Sequence, residues 1–462
     1  MHFYDIYPQI VPADKVSKIT IHPRFSHAKF STQSPWVLEM KHSPREGVVE
    51  NDILDAYVWA SKDGVDIKFY INENDDIIVE GYFAGEQEHN LQLRVTRSDN
   101  PDYFKNYSFK IYSLKEDLYN LRPIKIDSHI HTSGSDGKED CRFVSARYRE
   151  KGFDAIAITD HRNYKPSVEA KNYWENIAPD FNIIYGEEVH SPNNPVHIVN
   201  FGGSKSINEE INSNSEEYFR QVAAIESNLP KTIPSRVSFA CAASTYVFDS
   251  IRKAGGLAVF CHPYWCMSRS VLPEALIDAI FSERKFDAVE IIGGFYKEQS
   301  EANNFQIIRC HEEAYKQSFP ILAASDSHGT CQFPINRFLI GNFCGLSTTN
   351  SADAELFNWY YSIVFSPDSD TRNLISSIKQ ELVVAVEHPE GSIPRIYGNL
   401  RLVKYVSFLL REYFPIHDYL CQAQGQAMLD YLADDDTAKI RLAALCGRVN
   451  KRREMFFGNY EG

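Results

Sequence analysis

No stretch of the chain approaches the roughly 18 consecutive apolar residues that a membrane-spanning helix needs. The start, Met1-His2-Phe3-Tyr4-Asp5, has no basic segment followed by an apolar run and a small-residue cleavage site. A cytoplasmic protein without membrane contact is expected. The 9 cysteines are an odd number without framework spacing, and Cys241, Cys261, Cys310 and Cys446 stand in apolar or helical surroundings where a thiol behaves as a small hydrophobe. Reduced thiols fit best. Cys261 and Cys266 bracket His262, but no second cysteine pair completes a tetrahedral thiolate site. The absence of G-x-x-x-x-G-K-S/T and G-x-G-x-x-G runs argues against nucleotide-driven phosphoryl transfer. Positive charge is also scarce. Against 62 Asp and Glu stand 48 Lys and Arg, a formal net charge of -14, which argues against a broad surface for nucleic-acid phosphates while leaving room for a local basic groove.

The rest is ordinary globular sequence, 462 residues with 43% hydrophobic and 24% charged, long enough for two or three domains. Residues 1–122 carry short β-rich runs at 36–40, 56–60, 67–71 and 77–83, separated by Asp, Asn and Gly turns, which predicts a small antiparallel sandwich or barrel. Arg122-Pro123 marks a boundary. From Ile124 strands and helices alternate: strand 125–131, helix 139–151, strand 154–159, helix 167–177, strands 182–189 and 196–201. After a mostly polar insertion at 205–244 with a helix near 216–228, the pattern resumes with helix 246–254, strand 257–261, helix 273–284, strand 287–292, helix 301–317 and strand 320–324. Such alternation predicts a parallel sheet with crossover helices. A last βαβ-type unit is read at 361–386, and the tail 391–462 reads as a helical segment. Its Arg448, Lys451, Arg452 and Arg453 are read as a solvated face.

The chemistry gathers at strand ends. Asp127-Ser128-His129-Ile130-His131-Thr132 turns His129 and His131 to one face of a strand, so both imidazoles aim at one point. A lone buried histidine is more often a satisfied core residue than a ligand. Here, however, Asp136 in Ser135-Asp136-Gly137, His161 in Thr159-Asp160-His161, Glu188 in Gly186-Glu187-Glu188, His197, His262 in His262-Pro263, and Asp326 with His328 follow in turn, mostly at strand ends. Mixed imidazole and carboxylate donors without thiolate suit Zn, Mn or Fe. Two such ions roughly 3.5 to 4 Å apart activate a bridging water and clamp both oxygens of an in-line displacement. Glu187 is the rival of Glu188, but neighbours on a strand face opposite ways. Asp160 is read as support for the site, with general acid as the rival role. His190, and Arg162, Arg269 and Lys297 from the loops, are candidate substrate contacts, although exposed surface cations explain the last three equally well. His311, His388 and His417 are read as core or surface residues.

In this order, the motifs resemble the polymerase and histidinol phosphatase (PHP) superfamily of metal-dependent phosphoesterases, over about residues 124–387. No single motif is diagnostic, whereas the ordered set is specific. The resemblance implies a distorted (β/α)7 barrel at 123–390, with the polar motifs at its active face, holding two or three divalent transition metals. It would put His129, His131, Glu188 and Asp326 on one ion, Asp136, His161 and His328 on a second, and His197 and His262 on a third that Glu188 bridges. Asp326 and His328, with Asp160, are the residues expected to serve catalysis. Some relatives carry His where this chain has Asp136; the Asp form is similar to the small-molecule phosphatase branch. The expected function is hydrolysis of small-molecule phosphate monoesters, nucleotides or sugar phosphates, by a metal-bound hydroxide. The alternatives are a phosphodiesterase or 3′-5′ exonuclease acting on nucleic acid, and a binding or regulatory protein whose metal cluster is structural. The insertion 205–244 is the expected specificity element.

Overall fold

The computed structural model describes residues 3–29, 36–46, 67–265, 272–294, 301–331 and 356–458. The expected strand 56–60, Cys266, Arg269 and Lys297 lie outside them. It is a mixed α/β structure that divides into two compact units, one of residues 1–121, 407–417 and 447–462, the other of 122–406 and 418–446.

In the first unit, alternating apolar residues build two four-stranded sheets. One has the order Tyr4–Tyr7, Lys15–Pro23, Ile77–Phe83, Lys68–Ile71, all antiparallel. The other runs Ile10–Pro12, Asn100–Leu114, Glu88–Arg97, Trp36–Pro44, antiparallel except for its first pair. Ile19, Ile21, Ile77, Val79 and Phe83 of the first sheet share a core with Leu91, Leu93, Val95, Phe109 and Ile111 of the second, the product of period-2 alternation with one face of each sheet turned inward.

The second unit has a six-stranded sheet, ordered Asn182–Ile184, Ala155–Ala157, Arg122–Asp127, Tyr360–Ser366, Val383–Glu387, Arg395–Tyr397. Its five-stranded sheet is ordered Gly186–Val189, Ile198–Phe201, Leu257–Phe260, Ala288–Ile292, Ile321–Ala323. Ile124, Ile126, Ala155 and Ala157 of one sheet and Val199, Leu257, Val259 and Leu322 of the other form a single apolar core. The sheets also approach at isolated parallel bridges, Ile130 with Ser327 and His161 with Glu188, at the ends of motif-bearing strands.

The pairing is not uniformly parallel. Gly186–Val189 runs antiparallel to Ile198–Phe201, and that strand antiparallel to Leu257–Phe260. Between the first two lie only residues 190–197, too short for a crossover helix, which needs about a dozen residues. The unit expected to be βαβ is also antiparallel: the helix Thr371–Lys379 leaves and re-enters at the same end of the pair, with Val364 opposite Val383. The insertion is mostly helical, with Ile207–Ser213, Ser215–Asn228 and Ser235–Lys253, the last starting well before the expected residue 246. Its Ser- and Ala-rich sequence reads as polar, yet Val237, Cys241, Val247 and Ile251 fall at helical spacing and join a core with Ile211, Tyr218 and Val222. The tail 391–462 is divided: 407–417 and 447–462 belong to the first unit, 418–446 to the second. Buried Tyr405 and Phe408, on one helix, are assigned to different units, which hydropathy alone does not separate.

Candidate metal centre

The strand Arg122–Asp127 delivers His129 and His131 just past its end. His131 N–H donates to Ser327 O at 2.8 Å, tying this segment to the one that carries Asp326 and His328. Asp127, fully buried, accepts from the backbone of His129 and of Ser325 at 3.1 Å each, so one carboxylate holds both segments. Burial pushes that carboxyl up to about 7 against those hydrogen bonds. Glu139 secures the far side, accepting from Thr330 N and Cys331 N at 3.1 and 3.0 Å. Arg162, His262 and Asp326 all have left-handed backbone, with φ of 54°, 27° and 48°. Non-glycine residues adopt this only when the surroundings impose it, and such strain gathers at functional sites.

Glu188 is the centre of the cluster. Its Oε1 lies 2.8 Å from His197 Nδ1 and 3.2 Å from His262 Nε2. Its Oε2 meets His161 Nδ1 and lies 3.4 Å from His190 Nε2, 3.6 Å from His131 Nε2 and 3.7 Å from His129 Nε2. Despite this company, Glu188 Oε2 and His197 Nδ1 are buried without a properly aligned hydrogen bond. Asp326 Oδ1 lies 3.0 Å from His131 Nε2 and 3.4 Å from His129 Nε2, and Asp136 Oδ1 lies 3.2 Å from His328 Nε2 and 3.5 Å from His161 Nε2. Donor atoms of His131, Asp136, His161 and His328, of His129, His131 and Glu188, and of Glu188, His197 and His262 fall within 4.8 Å of one another in each group.

The donor set fits divalent cations. His129 Nδ1 donates to Glu290 Oε1 at 2.9 Å and His328 Nδ1 to the Asp326 carbonyl at 2.9 Å. Each bond selects the tautomer whose Nε2 lone pair faces the cluster, as a ligating imidazole requires. Glu188, Asp326, Asp136 and Glu290 bring negative charge into one small volume, which cations would offset. Burial disfavours charge on Glu188, yet His197, His161 and His129 outweigh it and hold the carboxyl well below the usual range. Burial likewise opposes ionisation of Asp326, but His129, His131 and His328 hold that carboxyl low too. His131 is pushed down to about 3 by burial and by His328 and His161, so it stays a neutral donor. The cluster opens at Asp136, whose side chain is 59% exposed against 0% for Glu188.

Glu188 rather than Glu187 faces the histidines. The Glu187 carboxylate accepts from Ser206 Oγ at 2.8 Å and Asn208 Nδ2 at 2.9 Å at the start of helix Ile207–Ser213. Asp160 makes contacts that favour the supporting role over the rival role of general acid. It is buried and accepts from Thr132 N, Thr132 Oγ1 and Ser135 Oγ at 2.8, 2.6 and 2.6 Å, so its oxygens are taken up in shaping the Thr132–Asp136 loop. Arg162 has an exposed side chain, and its N–H donates to Glu188 O at 2.9 Å. His190 lies within the cluster, stacked on His197 at 3.8 Å between ring centroids and 3.0 Å from His161 Nδ1. The sequence reading missed Glu290, which bonds His129 and also accepts from His262 N at 3.1 Å. Its signal was available: a lone carboxylate in the buried strand Ala288–Ile292 needs a partner. His311 is exposed and His417 buried.

No family model matches the chain. An uncharacterized protein of Methanocaldococcus jannaschii is 24% identical over 209 residues, covering 43% of this chain and 98% of that protein. Three solved structures resemble parts of the chain. A two-domain protein of Bacteroides vulgatus containing a predicted PHP-like metal-dependent phosphoesterase is 16% identical with a TM-score of 0.37, over 59% of this chain and 66% of that one. A candidate metal-dependent phosphoesterase of Bifidobacterium adolescentis is 20% identical with a TM-score of 0.32, over 49% and 91%. An amidohydrolase of Chromobacterium violaceum is 19% identical with a TM-score of 0.28, over 44% and 87%. PHP-like metal-dependent phosphoesterases are among the solved structures that parts of the chain resemble. At such low TM-scores the neighbours carry no argument about this chain.

Proposed function

We propose that this protein is a metal-dependent phosphoesterase that hydrolyses phosphate monoesters of small molecules. The observation that carries the proposal is the Glu188 carboxylate among inward-facing imidazoles, one of its oxygens buried without a hydrogen bond. The two core-sharing sheets of 1–121 support a sandwich-like domain, and the paired sheets of the second unit support a distorted (β/α)7 barrel with the motifs at one end.

Two or three Zn, Mn or Fe ions would be held by His129, His131, Glu188 and Asp326, by Asp136, His161 and His328, and by Glu188, His197 and His262. When bound, such ions polarise water and offset phosphate charge. The chain's residues supply the rest. Glu290 and the Asp326 carbonyl keep His129 and His328 in the ligating tautomer. Asp160 and Glu139 fix the loops that carry Asp136 and His328. Arg162, exposed beside the cluster, is proposed to contact a non-bridging phosphate oxygen, and His190 to border the same space. Among the described residues no helix is long and apolar enough to cross a membrane.

A panel of nucleotides, sugar phosphates, bis-p-nitrophenyl phosphate and short oligonucleotides, with Mn and Zn in turn, tests the proposal. Small monoesters should turn over fastest. Faster cleavage of oligonucleotides would replace the proposal with the exonuclease reading, and metal-bound protein without turnover of any ester would favour a structural cluster.

A further inference from the structure

The outward face of the second sheet of the first unit carries a feature unrelated to the metal centre. There Ser43, Asn90 and Lys110 are cross-strand neighbours on three adjacent strands. With Pro44, Arg45, Glu88 and Arg411 they line a cleft of about 580 Å³. Arg45 Nη1 and Arg411 Nη2 both donate to one oxygen, Glu88 Oε2, at 2.8 and 2.6 Å, and Lys110 Nζ lies 4.0 Å from Oε1. Three cations therefore face one carboxylate, leaving the lining at +2 in a chain whose formal net charge is -14.

This is more than an ion pair needs. Glu88 is only 10% exposed and draws the two guanidinium groups together, whereas Arg45 and Arg411 remain 66% and 46% exposed. A guanidinium has five N–H donors in a fixed fork. Arg45 uses one on Glu88, and Arg411 one on Glu88 and one on the Ser407 carbonyl. Asn90 accepts from Ser108 Oγ through its Oδ1 at 2.6 Å, which orients its amide group as a donor. Cationic forks, an ammonium and an amide converging on a concave surface are the chemistry that recognises tetrahedral oxyanions. Among the described residues no aromatic side chain lines the cleft, so none of them would stack a base there.

We propose that this cleft binds a compact, multiply charged phosphate compound of the diphosphate type, separately from any phosphate ester at the metal centre. The probe is methylenediphosphonate, which resists hydrolysis, titrated into the full-length metal-loaded protein by calorimetry at low salt. A binding component should weaken as salt rises. It should weaken about tenfold or more in the Arg45→Gln/Arg411→Gln variant, while metal content stays unchanged and any component due to the metal centre persists. Glu88→Gln retains every cation and removes the competing charge, so it should tighten binding about fivefold. That variant also keeps the test decisive if the double variant folds poorly. The proposal is overturned if Glu88→Gln fails to tighten binding, if the double variant binds as the parent does, or if a single-stranded oligonucleotide binds more tightly than the diphosphonate at this cleft.

Discussion

Glu290 touches no proposed ion, yet replacing it should weaken metal binding 10- to 100-fold. One of its oxygens accepts from His129 Nδ1 at 2.9 Å and the other from His262 N at 3.1 Å. In Glu290→Gln one of those oxygens becomes an NH2 group. If the amide oxygen keeps the His262 N–H, the NH2 faces His129 Nδ1 and forces the ring proton onto Nε2, the nitrogen that points at Glu188 and Asp326. That tautomer cannot ligate. If the amide turns over, a backbone N–H in a fully buried setting confronts another donor. Either outcome removes a hydrogen bond to a charged acceptor. Loss of a partner that orients a ligating histidine typically costs about 10- to 100-fold in metal affinity, equivalent to about 1.4 to 2.7 kcal/mol. The assay is competition between the apoprotein and a chromophoric chelator for Zn, alongside circular dichroism to verify folding. A folded Glu290→Gln protein with Zn affinity within about twofold of the parent would refute this account of how His129 is oriented.

Three further predictions test the same structure. Protein prepared without chelator should carry two to three transition-metal ions by elemental analysis, and their removal should lower the thermal midpoint, since a ligand bound only by the folded state stabilises it; active protein without metal would refute the site. Gly294→Ala should lose phosphoesterase activity, because a Cβ there would sit 1.8 Å from the backbone oxygen of Ser325 and displace Asp326; unchanged kcat and metal content would argue otherwise. In the first unit, buried His42 and His89 bond each other at 3.0 Å, and burial pushes their rings down to about 4 and about 3 from the ordinary 6.5. From 6.5 down to those values the unfolded chain binds more protons, so stability is complete above 6.5 and falls as pH drops through that window, by an upper bound on the order of 3 kcal/mol for His42 and 5 kcal/mol for His89. Hydrogen exchange of peptides spanning 77–111, corrected for intrinsic rates, should show that loss, and His89→Asn should reduce it.

Part of the His and carboxylate cluster was legible in the sequence because its geometry is local. His129-Ile130-His131 puts two imidazoles on one face whatever surrounds them, and Glu187-Glu188 must divide between two faces of a strand. Alternating apolar residues likewise foretold the strands at 36–40 and 77–83. Tertiary structure decided which elements run antiparallel, because pairing direction depends on where a connection re-enters. It also decided that 205–244 is helical and packed, and that the last helices divide between two units, since burial requires a partner surface that composition does not specify. From its place beside His161, Asp160 reads as support for the site, with general acid as the rival role. Only the folded loop brings Thr132 and Ser135 onto its oxygens and makes it a positioning residue. The same holds for Glu290 and for the cleft at Glu88: neither Glu290 and His129 nor Glu88 and Arg411 are near in sequence, and their chemistry arises from contacts that only the fold creates.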